Sequence, residues 1–163
     1  MRQDMAGRAI GGWSMGGYGA AYNFARRSGD FAALATIIGI VDYPRDDIEP
    51  ADQNYPVQSC FGRDRAVWAD LNPRILIGRA SARPMFVAYA EDTPERKMNE
   101  GFLAEARAHG DAVRELRLPG RHVFSVVREA LPAALGFLEL ILIPNPSGSI
   151  SDQTQPRSHQ TRP

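Results

Sequence analysis

The stretch Gly12-Trp13-Ser14-Met15-Gly16-Gly17 decides the expected fold. It follows a short apolar run and leads into a sequence with helical character. A Gly-x-Ser-x-Gly between a strand and a helix is typical of a sharp turn that holds a serine hydroxyl exposed. We therefore expect Ser14 to adopt a strained backbone conformation. Gly12 and Gly16 are expected where strand and helix nearly touch, and Gly17 would let the helix pack closer still.

Ser14 has two interpretations. As a nucleophile, it would lie at a helix N-terminus, where free N–H groups and a partial positive charge stabilise an oxyanion. As a purely structural residue, it would cap the helix within a glycine-rich turn. The nucleophile interpretation requires a base and an acid elsewhere in the chain, because a serine hydroxyl alone is a poor nucleophile.

The composition limits the classes of partner. At 163 residues, 44% of them apolar, the chain is long enough for one domain with its own core. Acidic and basic residues balance at 19 each, so no net field favours nucleic acid or an anionic membrane, and we expect neither as a partner. The single cysteine, Cys60, excludes an internal disulfide and a cysteine-based metal cluster.

Two stretches bear on targeting and membrane insertion. Residues 1–8 contain no apolar core and do not resemble a signal peptide, which favours a cytoplasmic location. The longest apolar stretch, 131–143, is interrupted by Pro132 and Glu139 and is too short to span a bilayer. No membrane span is therefore expected.

Strands alternate with helices along the chain. The predicted strands are 7–13, 31–41, 84–90 and 113–118, and the predicted helices are 17–27, 95–109 and 125–142. The run in 31–41 is continuously apolar and rich in β-branched residues, as in a strand buried on both faces. The alternating pattern of 113–118 is typical of an edge strand with one wet face. This order predicts a parallel sheet in the α/β class.

The remaining segments carry no strong periodicity. Residues 45–77 favour short helices and loops, which either cover the site as a cap or form a plain surface excursion. Residues 144–163 lack apolar side chains beyond Ile150, so we expect a disordered tail there. The folded domain is therefore predicted to comprise residues 1–143.

Three histidines are candidates for the base. His159 lies in the predicted tail, and His109 lies in the last turn of a predicted helix, where it interacts with the helix dipole. His122 lies in a glycine-containing loop after the final strand, at the edge where α/β sheets place their active-site loops. We take His122 as the base; the order Ser…Asp…His is that of an α/β hydrolase.

The acid has three candidates. Asp92 directly follows the third predicted strand and is the preferred one. The same residues, Asp92-Thr93-Pro94-Glu95, also resemble a helix start with Asp92 or Thr93 as the N-cap. Glu91 is adjacent, and Asp42 ends the preceding strand, so both remain alternatives.

Four segments carry a resemblance to a known family. They are the elbow 12–20 (GWSMGGYGA), Trp68 with Asn72-Pro73, the strand ending in Glu91-Asp92, and the loop 118–122 (LPGRH). Over about residues 7–138 the chain resembles the esterase family that includes esterase D (S-formylglutathione hydrolase) and the antigen 85 mycolyltransferases. The resemblance implies an α/β-hydrolase fold with Ser14 as nucleophile, Asp92 as acid and His122 as base. It also implies hydrolysis or transfer of an acyl group through an acyl-serine, without metal or cofactor.

The chain departs from that family in two places. Members often have Gly-Gly-His-Asp followed by an aromatic residue, whereas here Arg121 precedes His122 and Val123-Phe124 follow it. Members also reach the elbow only after several strands, and only thirteen residues precede Ser14 here. The absent part would supply half of the sheet and one oxyanion-hole N–H, leaving the N–H of Met15 as the other donor. We therefore expect the C-terminal half of such a fold, truncated at its N-terminus, with the elbow strand as an exposed edge.

The sequence thus favours a serine esterase acting on a small-molecule carboxylic ester or thioester through an acyl-serine. An acyltransferase would use the same triad. A third hypothesis is a non-catalytic esterase remnant that pairs its exposed sheet edge with another protein or with a second copy of itself.

Overall fold

The computed structural model describes residues 7–45 and 59–143 of the chain. At its centre lies a four-stranded sheet in the order β1-β2-β3-β4. The strands are β1 (Ala9–Trp13), β2 (Ala33–Ile37), β3 (Met85–Ala90) and β4 (Val113–Leu118). Every neighbouring pair is parallel. The predicted α/β class with a parallel sheet is confirmed.

Helices cover both faces of this sheet. They are α1 (Met15–Arg26), α2 (Arg65–Ala69), α3 (Pro73–Ile77), α4 (Glu95–His109) and α5 (Phe124–Leu142). Helices α1, α3 and α4 pack on one face and α5 on the other. Among the helices of the described residues, none combines the length and the apolar character needed to cross a bilayer.

The segment between β2 and β3 contains short helices, as expected. After a 3₁₀ turn at Ser59–Phe61, the Asp64 side chain caps α2 and the Asn72 side chain caps α3. This part of the segment packs against the helical layer, where the Tyr18 hydroxyl donates to the carbonyl oxygen of Leu71 at 2.9 Å. Its predicted role as a cap or a surface excursion stays a prediction. Residues 46–58 and the predicted tail, 144–163, lie outside the described residues.

The two central strands are buried on both faces. Along β3, the side chains of Met85, Val87 and Tyr89 belong to the core beneath α1 and α4, while Phe86, Ala88 and Ala90 pack against α5. All residues of β2 are also buried. Two covered faces explain why these strands are continuously apolar. The strand predicted over 31–41 is shorter in the structure, because the chain leaves the sheet at Ile38, whose φ is 43°.

The two outer strands differ in how their edges are occupied. On β4, the Glu115 carboxylate accepts hydrogen bonds from Arg107, Arg117 and the hydroxyl of Tyr89. Burial by itself would raise the pKa of Glu115, but these three donors outweigh it and lower the pKa to about 2. At the other side of the sheet, the outer edge of β1 pairs with no strand within the described residues, and Trp13 is 53% exposed. The elbow strand is therefore an edge strand of this sheet, as expected.

A buried arginine fixes the end of the sheet opposite the elbow. The Arg83 guanidinium donates hydrogen bonds to the carbonyl oxygens of Phe24 (2.6 Å), Phe31 (3.0 Å), Ser28 and Ser81 (both 3.1 Å). It also lies 3.7 Å from the centre of the Phe24 ring. Burial lowers the pKa of Arg83. A single side chain therefore joins the end of α1, the start of β2 and the start of β3.

We expect Arg83→Met to lower the free energy of unfolding by about 3 kcal/mol, because the buried hydrogen bond to Phe24 and three partly buried ones are lost at once. The matched control is Arg79→Met, which removes only the exposed ion pair with Asp70 and should cost less than about 0.5 kcal/mol. Urea denaturation of both variants measures the difference. Equal losses in the two variants would contradict the role given to Arg83.

Candidate active site

Ser14 lies at the turn between β1 and α1 in a strained conformation, with φ 51° and ψ −125°. Its N–H donates to the carbonyl of Ile37 at 3.1 Å, and its own carbonyl accepts from Tyr18 at 3.1 Å and from Ile40 at 3.3 Å. The side chain makes no capping hydrogen bond to α1. The strained conformation expected for Ser14 is present, and Ser14 occupies the N-cap position of α1 without capping the helix through its side chain.

The glycines around Ser14 differ in what they permit. A Cβ on Gly12 would lie 2.4 Å from the carbonyl oxygen of Gly16, and a Cβ on Gly17 would lie 2.8 Å from the Cα of Gly39. A Cβ on Gly16 would meet nothing within 4 Å. Close packing therefore requires Gly12 and Gly17, as expected, but the steric reason expected for Gly16 is wrong. At Gly16 it is the backbone, and not the side-chain position, that is crowded.

His122 reaches the nucleophile from the loop between β4 and α5. Its Nε2 atom lies 2.8 Å from Ser14 Oγ. The loop is tethered to the end of β3, because Asp92 N–H donates to the carbonyl of Gly120 at 3.0 Å. The structure thus brings the predicted nucleophile and the predicted base together. His109 instead contacts Asp111 at 3.4 Å, and His159 is outside the described residues.

The carboxylate beside His122 is Glu95, the first residue of α4. Its Oε1 atom lies 2.7 Å from His122 Nδ1, and the residue is only 2% exposed. The distance is that of a close ion pair, although Nδ1 is not in the angular arrangement of a hydrogen bond. Hydrogen bonds of this kind are often poorly aligned before a ligand binds, and the 2.7 Å distance places the carboxylate directly against the imidazole.

None of the three acids predicted from the sequence lies against His122 Nδ1. Asp92 is exposed and lines the same groove as His122, but the structure places Glu95, and not Asp92, against Nδ1. Glu91 is also exposed. Asp42 is buried and accepts hydrogen bonds from Arg45, Arg74 and Asn72, so its oxygens are engaged in a structural network.

A signal for Glu95 was present in the sequence. Residues three and four apart share one face of a helix. Glu95 therefore falls on the face of Met98 and Phe102, which are both buried. Asn99 lies on that face as well and is fully buried. A carboxylate and an amide on the apolar face of a helix are unusual, and such groups are buried only where they have a partner.

The side chains next to Ser14 and His122 along the chain are mostly apolar. Trp13 and Met15 flank Ser14, while Val123 and Phe124 follow His122; the four side chains are 48–61% exposed. The rings of Trp13 and Phe124 meet edge to face, with their centres 6.1 Å apart. The N–H of Met15 opens α1 and so lacks an intrahelical acceptor. Within residues 7–45 and 59–143 there is no cluster of His, Cys, Asp and Glu side chains suited to a metal ion.

No family model matches the chain, and no curated protein matches its sequence. Solved structures do match. A ferulic acid esterase is 22% identical, with a TM-score of 0.68 over 87% of this chain and 55% of its own. An S-formylglutathione hydrolase from Agrobacterium tumefaciens is 21% identical, with a TM-score of 0.62 over 87% and 52%. The thermostable carboxylesterase EstE1, from a metagenomic library, is 20% identical, with a TM-score of 0.62 over 83% and 55%.

These structures share the fold of this chain over the aligned residues. The chain has a partial α/β-hydrolase fold. It spans about half the length of the structures that it matches. In an α/β-hydrolase fold the serine at the strand–helix turn, the acid and the histidine follow in that chain order. Ser14, Glu95 and His122 have this order and lie at the carboxyl ends of the strands.

The elbow of this α/β-hydrolase fold gives a prediction for two glycines. We expect Gly12→Ala to lower the free energy of unfolding by about 1–3 kcal/mol, because the new methyl group would collide with backbone rather than with a flexible side chain. Gly16→Ala should be neutral or stabilising by up to about 1 kcal/mol, because alanine favours the helix and meets open space. Thermal and urea unfolding compare the two variants. The reverse order of stability would contradict this account of the elbow.

Proposed function

We propose that this chain is a serine hydrolase that cleaves a small-molecule carboxylic ester or thioester through an acyl-serine intermediate. The observation that carries the proposal is the 2.8 Å contact of Ser14 Oγ with His122 Nε2, with Glu95 on the other side of the imidazole. An ester substrate is supported by the structural neighbours, which include a ferulic acid esterase and a carboxylesterase.

The roles follow from which atoms are adjacent. With Glu95 facing Nδ1, the neutral imidazole carries its proton on Nδ1, which leaves Nε2 free to accept the proton of Ser14. As Nε2 takes that proton, Oγ forms a bond to the carbonyl carbon of the substrate. The carbonyl oxygen becomes an oxyanion, which the N–H of Met15 and the positive end of α1 stabilise.

Collapse of this intermediate breaks the bond to the leaving group. His122 transfers its proton to the departing alcohol or thiol, and the acyl group stays on Ser14. Water then attacks the acyl carbon while Nε2 takes one of its protons. When the second intermediate collapses, Ser14 regains its proton from His122 and the carboxylic acid leaves. In an acyltransferase, an alcohol would replace the water in the second half of the reaction.

A fluorophosphonate probe tests the proposal directly. We expect the purified chain to be labelled at Ser14, and the Ser14→Ala variant to remain unlabelled, because only an activated serine attacks such a probe. Intact-mass spectrometry counts the adducts, and circular dichroism shows that each sample is folded. A folded wild-type chain that takes up no probe would reject the proposal.

The acid is assigned to Glu95 in this proposal, with Asp92 as the competing candidate from the sequence. Glu95→Gln should lower kcat for a p-nitrophenyl ester on the order of 10³- to 10⁴-fold, because an amide cannot hold and stabilise the imidazolium. Asp92→Asn, an exposed change on the same groove, is the matched control and should leave kcat nearly unchanged. A large loss in Asp92→Asn with little loss in Glu95→Gln would assign the acid to Asp92 instead.

A second candidate function rests on the open edge of β1. Unpaired strand edges bind other strands, and this one carries the exposed Trp13. On α5, which covers the adjoining sheet face, Leu131 and Leu135 are exposed as well. A folded chain that is unlabelled by the probe and dimeric by analytical ultracentrifugation would favour such a pairing protein over the hydrolase.

A further inference from the structure

The segment 38–40, which follows β2, is strained beside the nucleophile. Ile38 has φ 43°, in the left-handed region that a β-branched residue rarely adopts, and it is buried. Since Trp13 pairs with Ile37, Ser14 and Ile38 are the next residues along neighbouring strands, and both have positive φ. Such conformations persist only where the surroundings impose them.

This segment contacts the nucleophile turn twice. The N–H of Ile40 donates to the carbonyl of Ser14 at 3.3 Å. The Cα of Gly39 occupies the space that a side chain on Gly17 would need. The backbone position of Ser14 therefore depends on where residues 39 and 40 are held.

Asn99, on α4, also binds segment 38–40. It is fully buried on α4, one turn after Glu95. Its Nδ2 group donates to the carbonyl of Gly39 at 2.9 Å and to the carbonyl of Glu95 at 2.9 Å. Both protons of one amide are thus used, one on the segment that supports Ser14 and one on the turn that carries the carboxylate facing His122.

We propose that Asn99 is a positioning residue, which fixes the turn bearing Ser14 relative to the Glu95–His122 pair through segment 38–40. The hydrogen bonds of Asn99 go to the carbonyls of Gly39 and Glu95 and not to Ser14 or His122, so it acts through the backbone that it binds. A leucine of similar size would fill the space but would leave the Gly39 carbonyl buried without this donor. The segment, already strained at Ile38, would then relax and move the nucleophile turn. This inference rests on the proposed hydrolase function.

The test compares Asn99→Leu with Asn72→Leu. Asn72 is the matched control because it is equally buried and its Nδ2 group also makes two hydrogen bonds, to Asp42 and to the carbonyl of Pro44 rather than to segment 38–40 or to Glu95. We expect Asn99→Leu to lower the maximal rate of fluorophosphonate labelling roughly 10- to 100-fold, with little change in the half-saturating probe concentration, since misplacement by an ångström costs rates of this order. Asn72→Leu should lose stability but keep the labelling rate.

Amide hydrogen exchange at Ile40 supplies a readout that does not need activity. Exchange of this N–H should be faster in Asn99→Leu than in the wild type, and unchanged in Asn72→Leu once global stability is taken into account. If the wild type takes up no probe, the hydrolase proposal fails, and the exchange rate alone decides the role of Asn99. Unchanged exchange at Ile40, or equal labelling rates in the two variants, would overturn the inference. If Asn99→Leu does not fold, Asn99→Ser and Asn72→Ser replace the pair with the same readouts.

Discussion

The structure depends on a contact between backbones that leaves no room for side chains. At the turn after β1, Gly12 lies against the backbone of Gly16, and Gly17 lies against Gly39 of the neighbouring segment. These contacts hold α1 close to the sheet and keep Ser14 at a positive φ, a conformation that costs on the order of 1–3 kcal/mol. The elbow therefore depends on the sheet, because two of the three backbone hydrogen bonds of Ser14 are made with Ile37 and Ile40, at and just after the end of β2.

The parallel sheet brings the remaining groups to the same place. Each strand ends at the same edge and is followed there by one part of the site. Ser14 follows β1, segment 38–40 follows β2, Glu95 lies a few residues after β3, and His122 follows β4. With strands about 4.8 Å apart, β4 is roughly 14 Å from β1, so the His122 loop must cross the ends of two strands to reach Ser14. Its tether to Asp92, at the end of β3, directs it along that path.

The candidate site around Ser14 and His122 lies on the same side of the molecule as the outer edge of β1. Trp13 belongs to the edge strand β1 and also contacts Phe124, two residues after His122. An ester with an apolar acyl group and a second polypeptide strand would both bury this ring. The two candidate functions therefore use overlapping surface, since binding at either place removes the same exposed aromatic area from water.

The sequence by itself determined the elements that depend on local sterics and periodicity. Gly12 and Gly17 marked the elbow, the apolar runs predicted the central strands, and the loop position of His122 identified the imidazole that lies against Ser14. The sequence predicted Asp92 beside His122, but the structure places Glu95 there, because the start of α4 decides which of these two carboxylates, three residues apart, turns inward. It also missed the early end of β2, where strain at Ile38 depends on contacts with distant segments.

The tertiary structure determines which carboxylate faces His122 and where β2 ends, because both depend on contacts between distant elements. The direction of Glu95 is set by packing its helix face against the sheet, and its contact with His122 joins residues from two separate loop–helix junctions. Asn99 acquires its Gly39 acceptor in the same way, since Gly39 and α4 meet only when the helix packs over the sheet, whereas its Glu95 acceptor lies one turn back on the same helix. Local pattern specifies which residues are buried, whereas the packing of distant elements specifies what each buried polar group faces.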